Sequence, residues 1–191
     1  TLIDLFAGAG GLSEGFKQAG FRVLAGNDFD ECAARTYRLS HPQVPFLAGP
    51  VEGISVADLL SAAGISPGQL DVLVGGPPCQ AFSVYNHQRG MHDKRSGLFR
   101  EYLRIVEGLR PRLVVMENVT GILSIAGGRA VREIHDSLKL MGYHVEHRTL
   151  KAEEFGVPQE RRRVFFIGRL ERSSIRWPEP THGTLANDLF S

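Results

Sequence analysis

The chain has 191 residues, 42% of them hydrophobic, which is enough for one domain with a sizeable core. Its 22 basic and 21 acidic residues leave a net charge of +1, so composition makes no global case for a nucleic-acid partner, and any such case must come from local charge. No segment approaches the run of about 20 apolar residues that spans a bilayer, and the two cysteines, Cys32 and Cys79, are too few for a zinc finger or a disulfide framework, which favours a reducing location.

The opening Thr1-Leu2-Ile3-Asp4-Leu5-Phe6 reads as a strand rather than a signal peptide. A chain that starts on a strand without an initiator methionine is expected to lack some preceding residues. A glycine-rich turn then leads into a helix over Leu12–Ala19, a strand over Arg22–Ala25 and a helix over Glu31–Leu39. Helix-period stretches follow at Val56–Ala63, Leu98–Leu109 and Ala130–Met141. Between them lie short apolar runs at Asp71–Val74, Leu113–Met116 and Val164–Ile167, which have the composition of buried parallel strands. This alternation predicts a doubly wound, mostly parallel α/β fold, with ligands held beyond the carboxyl ends of the strands. After Arg169 the sequence changes character, and Trp177-Pro178-Glu179-Pro180-Thr181-His182-Gly183 reads as an extended, turn-rich exit from the core.

Four motifs fall just after, or just before, a predicted strand. Phe6-Ala7-Gly8-Ala9-Gly10-Gly11 would let the backbone approach a ligand and present helix N–H groups to an anion. Asp28, about 20 residues on, stands where a ribose-binding carboxylate belongs, and Phe29 could pack on an adenine. A dinucleotide would be the competing ligand, although Ser13 occupies the last position of that fingerprint; a tight turn without a ligand is the plainer alternative. Gly75-Gly76-Pro77-Pro78-Cys79-Gln80-Ala81-Phe82-Ser83 forms a rigid loop in which Cys79 is either a positioned nucleophile or a small buried hydrophobe. Glu117, in a Glu117-Asn118-Val119 turn after the Leu113–Met116 strand, could hold the amino edge of a base or serve as a helix-capping or ion-paired structural carboxylate. In extended backbone before the last strand, Arg161 and Arg163 of Gln159-Glu160-Arg161-Arg162-Arg163 point to one side and Arg162 to the other; the run suits a phosphate or base carbonyl, or is simply a solvated charge string.

Taken in order, these motifs resemble the DNA (cytosine-5) methyltransferase family from Leu2 to about Gly183. The carriers are Asp4-Leu5-Phe6-Ala7-Gly8-Ala9-Gly10-Gly11, Pro77-Pro78-Cys79-Gln80, Glu117-Asn118-Val119 and Gln159-x-Arg161-x-Arg163. The resemblance implies a Rossmann-like fold that binds S-adenosylmethionine. It implies that Phe6, Gly8, Gly10, Gly11, Asp28, Phe29, Pro78 and Leu98 form the cofactor site, with Asp28 on the ribose hydroxyls and Pro78 between cofactor and target base. It implies that Cys79 is the nucleophile, that Glu117 meets the N3/N4 edge of cytosine, and that Arg163 contacts the base and supports Glu117. Arg161 would help to organise the pocket, and Ser83 and Gln80 would contact the DNA. No metal is expected. Residues 1–170 would form the catalytic domain and 171–191 an exit segment, in a bacterial cytoplasm or a eukaryotic nucleus and away from any membrane.

Two departures from the family pattern stand out. Gly49 is followed by Pro50 where the family shows an aspartate for the adenine amino group, so that contact is expected to be lost or moved to Glu52, with weaker cofactor binding. The variable target-recognition domain and the final segment that returns to the cofactor site are not in the sequence, so truncation, a second chain that supplies the rest, or a degenerate remnant is expected, in that order. Double-stranded DNA is the expected substrate. The alternatives are a tRNA methyltransferase of the same family and a cofactor-binding subunit that needs a partner chain for turnover.

Overall fold

The computed structural model describes residues 1–78, 97–171 and 174–183. Cys79, Gln80 and Ser83 therefore lie outside the described residues.

The strands are β1 (Leu2–Leu5), β2 (Val23–Asp28), β3 (Phe46–Ala48), β4 (Val72–Gly75), β5 (Leu113–Val119), β6 (His144–Lys151) and β7 (Arg162–Arg169). The helices are α1 (Gly11–Gln18), α2 (Glu31–Ser40), α3 (Val56–Ala63), α4 (Leu98–Leu109) and α5 (Arg129–Leu140). The strands form one seven-stranded sheet in the order β3-β2-β1-β4-β5-β7-β6. Strands β1 to β5 pair in parallel, and β7 runs antiparallel between β5 and β6. The sequence order turns back between β1 and β4, which is the topological switch point where such sheets open a ligand crevice.

The core divides into two layers. Ile3, Leu5, Leu73 and Val114 face α3, α4 and α5 through Leu59, Tyr102, Ile105 and Ile134. Leu2, Val72, Val74 and Val115 face the other way, against Leu12 and Phe16 of α1. Burial on both faces explains why the central strands are near-continuous apolar runs. No helix among the described residues is long and apolar enough to cross a membrane.

Three sequence expectations need correction. Val164–Ile167 is not a parallel strand: β7 runs antiparallel to β5, from Leu113 opposite Arg169 to Val119 opposite Arg163. An apolar run buried on both faces carries no information about strand direction, which tertiary packing decides. Strand β6 was not expected, because His144–Lys151 is an edge strand with mostly polar, solvent-facing side chains. Glu117-Asn118-Val119 is not a turn after β5 but its last three residues, since pairing to β7 continues to Val119.

The segment after β7 does not leave the molecule directly. Ile175 is buried, the Trp177 Nε1–H donates to Glu146 Oε2 of β6 at 2.9 Å, and the Arg148 guanidinium sits over the Trp177 ring. The N–H groups of Thr181 and His182 both donate to the Glu154 carbonyl. The extended chain expected from its prolines is present, laid along the β6 side of the sheet.

Candidate functional site

The carboxyl ends of β1, β2, β4 and β5 bring the motifs together at one edge of the sheet. After β1 the chain reverses through Phe6 and Gly8, both with φ 56, and Gly10 with φ 96. Glycine takes these angles freely, whereas left-handed backbone at Phe6 costs of order 1–3 kcal/mol and marks a turn held by its surroundings. Gly8 N–H donates to Asp28 Oδ2 at 2.8 Å, and Asp28 Oδ1 accepts from Asp30 N–H at 2.9 Å. The carboxylate at the end of β2 is thus fixed beside the turn, as the spacing predicted. Phe29, next to it, is an apolar ring 71% exposed.

The loop after β3 closes the same corner. Gly49 N–H donates to the Asp28 carbonyl at 3.0 Å, and the buried Asn27 amide donates to the carbonyls of Leu47 and Gly49. Pro50 then opens a 3-10 turn, Val51–Gly53, on which Glu52 is exposed.

At the end of β5, Glu117 retains 18% of its side-chain exposure and meets two guanidinium groups. Arg163 Nε lies 2.9 Å, and Arg161 Nη2 3.4 Å, from the same oxygen, Oε1. Arg162 pairs instead with Glu160, so the alternation expected for extended backbone holds. The other oxygen, Oε2, faces Gly76, where an added Cβ would lie 3.2 Å away. The ion-paired carboxylate and the base-binding carboxylate are therefore compatible: Oε1 is tied down and Oε2 is left towards the cavity.

That cavity, of about 530 Å³, joins the two halves of the site, with Phe6 and Gly11 on the glycine-turn side and Glu117, Lys151, Arg161 and Arg163 opposite. Leu98 opens α4 and packs against the main core instead of lining this cavity. Pro78 is half-buried, and Pro77 before it is anchored.

That anchor is a residue to which the sequence reading gave no role. Asn118 is buried, and its Nδ2 donates to the Pro77 carbonyl at 2.9 Å while its Oδ1 accepts from Val119 N–H. It binds β5 to Pro77, two residues before Cys79 in the sequence. Lys151, held by Glu154 at 2.7 Å, is a further cation on the cavity wall and comes from the unforeseen strand β6. The signal for Asn118 was present, since a polar residue at the buried end of an apolar strand needs a partner.

The sequence matches the family described as C-5 cytosine-specific DNA methylase over residues 1–188. It is 42% identical over 192 residues to Type II methyltransferase M.AgeI of Thalassovita gelatinovora, a match covering 97% of this chain and 44% of that protein. It is 40% identical over 190 residues to Type II methyltransferase M.AquIA of a Picosynechococcus species, covering 95% of this chain and 77% of that one. The chain spans about half the length of several curated relatives it matches. The S. pombe Dnmt2 methyltransferase superposes with a TM-score of 0.72 at 22% identity, over 92% of this chain and 52% of that one, which shows a shared fold. The fold is the α/β S-adenosylmethionine-dependent methyltransferase fold anticipated from the motif order. With the glycine turn, Asp28, Glu117 and the Arg161/Arg163 pair brought to one edge of that fold and the family match running over residues 1–188, the chain belongs to the C-5 cytosine-specific DNA methylase family.

Proposed function

We propose that this chain is the catalytic portion of an enzyme that methylates C5 of a flipped-out cytosine in double-stranded DNA, using S-adenosylmethionine. The observation that carries this reading is Glu117, fixed by Arg163 and Arg161 and facing the glycine turn across one cavity. The likeness to Type II methyltransferases supports a role in restriction–modification, which would act in a bacterial cytoplasm.

The residues fit the cofactor. Asp28 offers carboxylate oxygens for ribose hydroxyls, Phe29 offers an uncovered ring for adenine, and the N–H groups of Gly11 and Leu12 open α1 without a protein acceptor among the described residues. When bound, S-adenosylmethionine supplies an electrophilic methyl group on a sulfonium.

The protein's part is to make cytosine C5 a nucleophile. The thiolate of Cys79 adds to C6, and the ring electrons move towards N3. Glu117, at the N3/N4 edge, favours that charge, and Arg163 keeps its carboxyl group aimed. C5 then takes the methyl group, a base (water serves) removes the C5 proton, and the C6–sulfur bond breaks to return the thiolate. For a thiolate to reach C6, the cytosine would leave the stack. The target-recognition surface comes from a region or partner chain beyond these residues.

The test uses duplex DNA carrying 5-fluorocytosine, in which the fluorine cannot leave as a proton does. A covalent protein–DNA adduct is expected on adding cofactor, and Cys79→Ser should abolish it. Tritiated methyl transfer to ordinary DNA should yield 5-methylcytosine. Label appearing in tRNA and not in DNA would overturn the substrate assignment, and an adduct surviving Cys79→Ser would overturn the nucleophile.

A further inference from the structure

Helix α1 begins at a residue that cannot cap it. Gly10 is the N-cap, with φ 96 and no side chain, and a Cβ there would lie 2.7 Å from His41 Nε2. An N-cap side chain ordinarily accepts from the second or third N–H of the helix. Here the third, Ser13 N–H, donates at 3.1 Å to Asp4 Oδ2, which arrives from β1. The Ser13 hydroxyl donates to the same oxygen at 2.7 Å. Its one proton being used, Ser13 Oγ receives the Tyr37 hydroxyl of α2 at 2.9 Å.

All three residues are fully buried. Asp4 Oδ1 has no hydrogen-bond partner among the described residues, an arrangement that a fold does not keep without reason. Burial pushes the Asp4 carboxyl group up to about 7, and the neighbouring Asp28 charge acts in the same direction. Asparagine is therefore a close mimic of its neutral form.

We propose that Asp4, Ser13 and Tyr37 are positioning residues for cofactor binding: they cap α1 from outside its own segment, so that the N–H groups of Gly11 and Leu12 stay free for the cofactor's carboxylate. The side-chain chain Tyr37–Ser13–Asp4 ties α2, α1 and β1 together directly beneath the turn that Gly8 and Asp28 hold. The inference rests on the reading that S-adenosylmethionine occupies this turn.

Calorimetry of S-adenosylmethionine binding to the whole chain at about pH 6 separates positioning from packing. Asp4→Asn keeps an acceptor for Ser13 and should bind within about threefold of the unsubstituted chain. Asp4→Leu keeps the volume without the acceptor and should bind at least about tenfold more weakly, and Ser13→Ala about fivefold, the range expected for one or two lost hydrogen bonds. Should Asp4→Leu not fold, Ser13→Ala and Tyr37→Phe decide, measured well below their melting temperatures. Ser13→Ala binding within about twofold of the unsubstituted chain, whatever its loss of melting temperature, would overturn the proposal, as would Asp4→Asn as weak as Asp4→Leu. If the unsubstituted chain itself does not bind S-adenosylmethionine, the cofactor reading falls, and this inference with it.

Discussion

Glu117 shows how one side chain serves two purposes through its two oxygens. Oε1 is ion-paired with both guanidinium groups, and Oε2 lies beside Gly76. Glu117→Gln preserves shape but weakens both ion pairs and the stabilisation of ring charge. Methyl transfer is expected to fall about 10²–10³-fold, the range for loss of one preorganised electrostatic contact, with cofactor affinity held; single-turnover transfer and calorimetry together check this. Asp4 bears on stability. Its carboxyl group is raised to about 7 in the folded chain by burial, against an ordinary value near 4 when unfolded. Between these values the folded chain binds more protons than the unfolded one, so this residue's contribution to stability falls as pH rises through the window. Above about 7 the whole penalty of the buried charge is present, and below about 4 it vanishes. The melting temperature should therefore drop by several degrees between about pH 5 and pH 7 in the unsubstituted chain, and Asp4→Asn should flatten that slope. An unchanged slope in the variant would show that other groups dominate.

At the scale of elements, the site depends on strands that end together. The parallel strands β1, β2, β4 and β5 deliver the glycine turn, Asp28, Gly76 and Glu117 to the same edge. The antiparallel strand β7 starts there instead, which puts Arg163 opposite Val119 and within reach of Glu117. The edge strand β6 adds Lys151, and the Trp177 side chain docks on its Glu146 and Arg148 side chains. The mostly polar, charged side chains of β6 suit an edge strand, where exposed pairing groups invite association. Trp177→Ala removes the hydrogen bond to Glu146 and the platform under Arg148, and should destabilise the chain by roughly 1–3 kcal/mol. Denaturant titration would read that loss as a lower midpoint, and limited proteolysis should cut the 174–183 segment sooner.

For the molecule as a whole, the described residues form one sheet, with the glycine turn and Glu117 on either side of a switch point. A cavity of about 530 Å³ is of the size that holds a cofactor or a base. The net charge of +1 gives no global attraction for nucleic acid, and the relatives are in several cases about twice as long as this chain.

The sequence by itself determined the parallel α/β core, because buried strands and amphipathic helices each carry a local period, and it marked Asp28, Glu117 and the Arg161/Arg163 pair through their spacing to strand ends. It also contained Asp4 in the middle of an apolar strand, a polar residue whose partners were not legible because Ser13 and Tyr37 come from two separate helices. Only the tertiary structure decided the direction of β7, the existence of β6 and the anchoring of Pro77 by Asn118. Strand direction, edge pairing and long-range hydrogen bonds are relations between segments, and no local pattern of side chains encodes them.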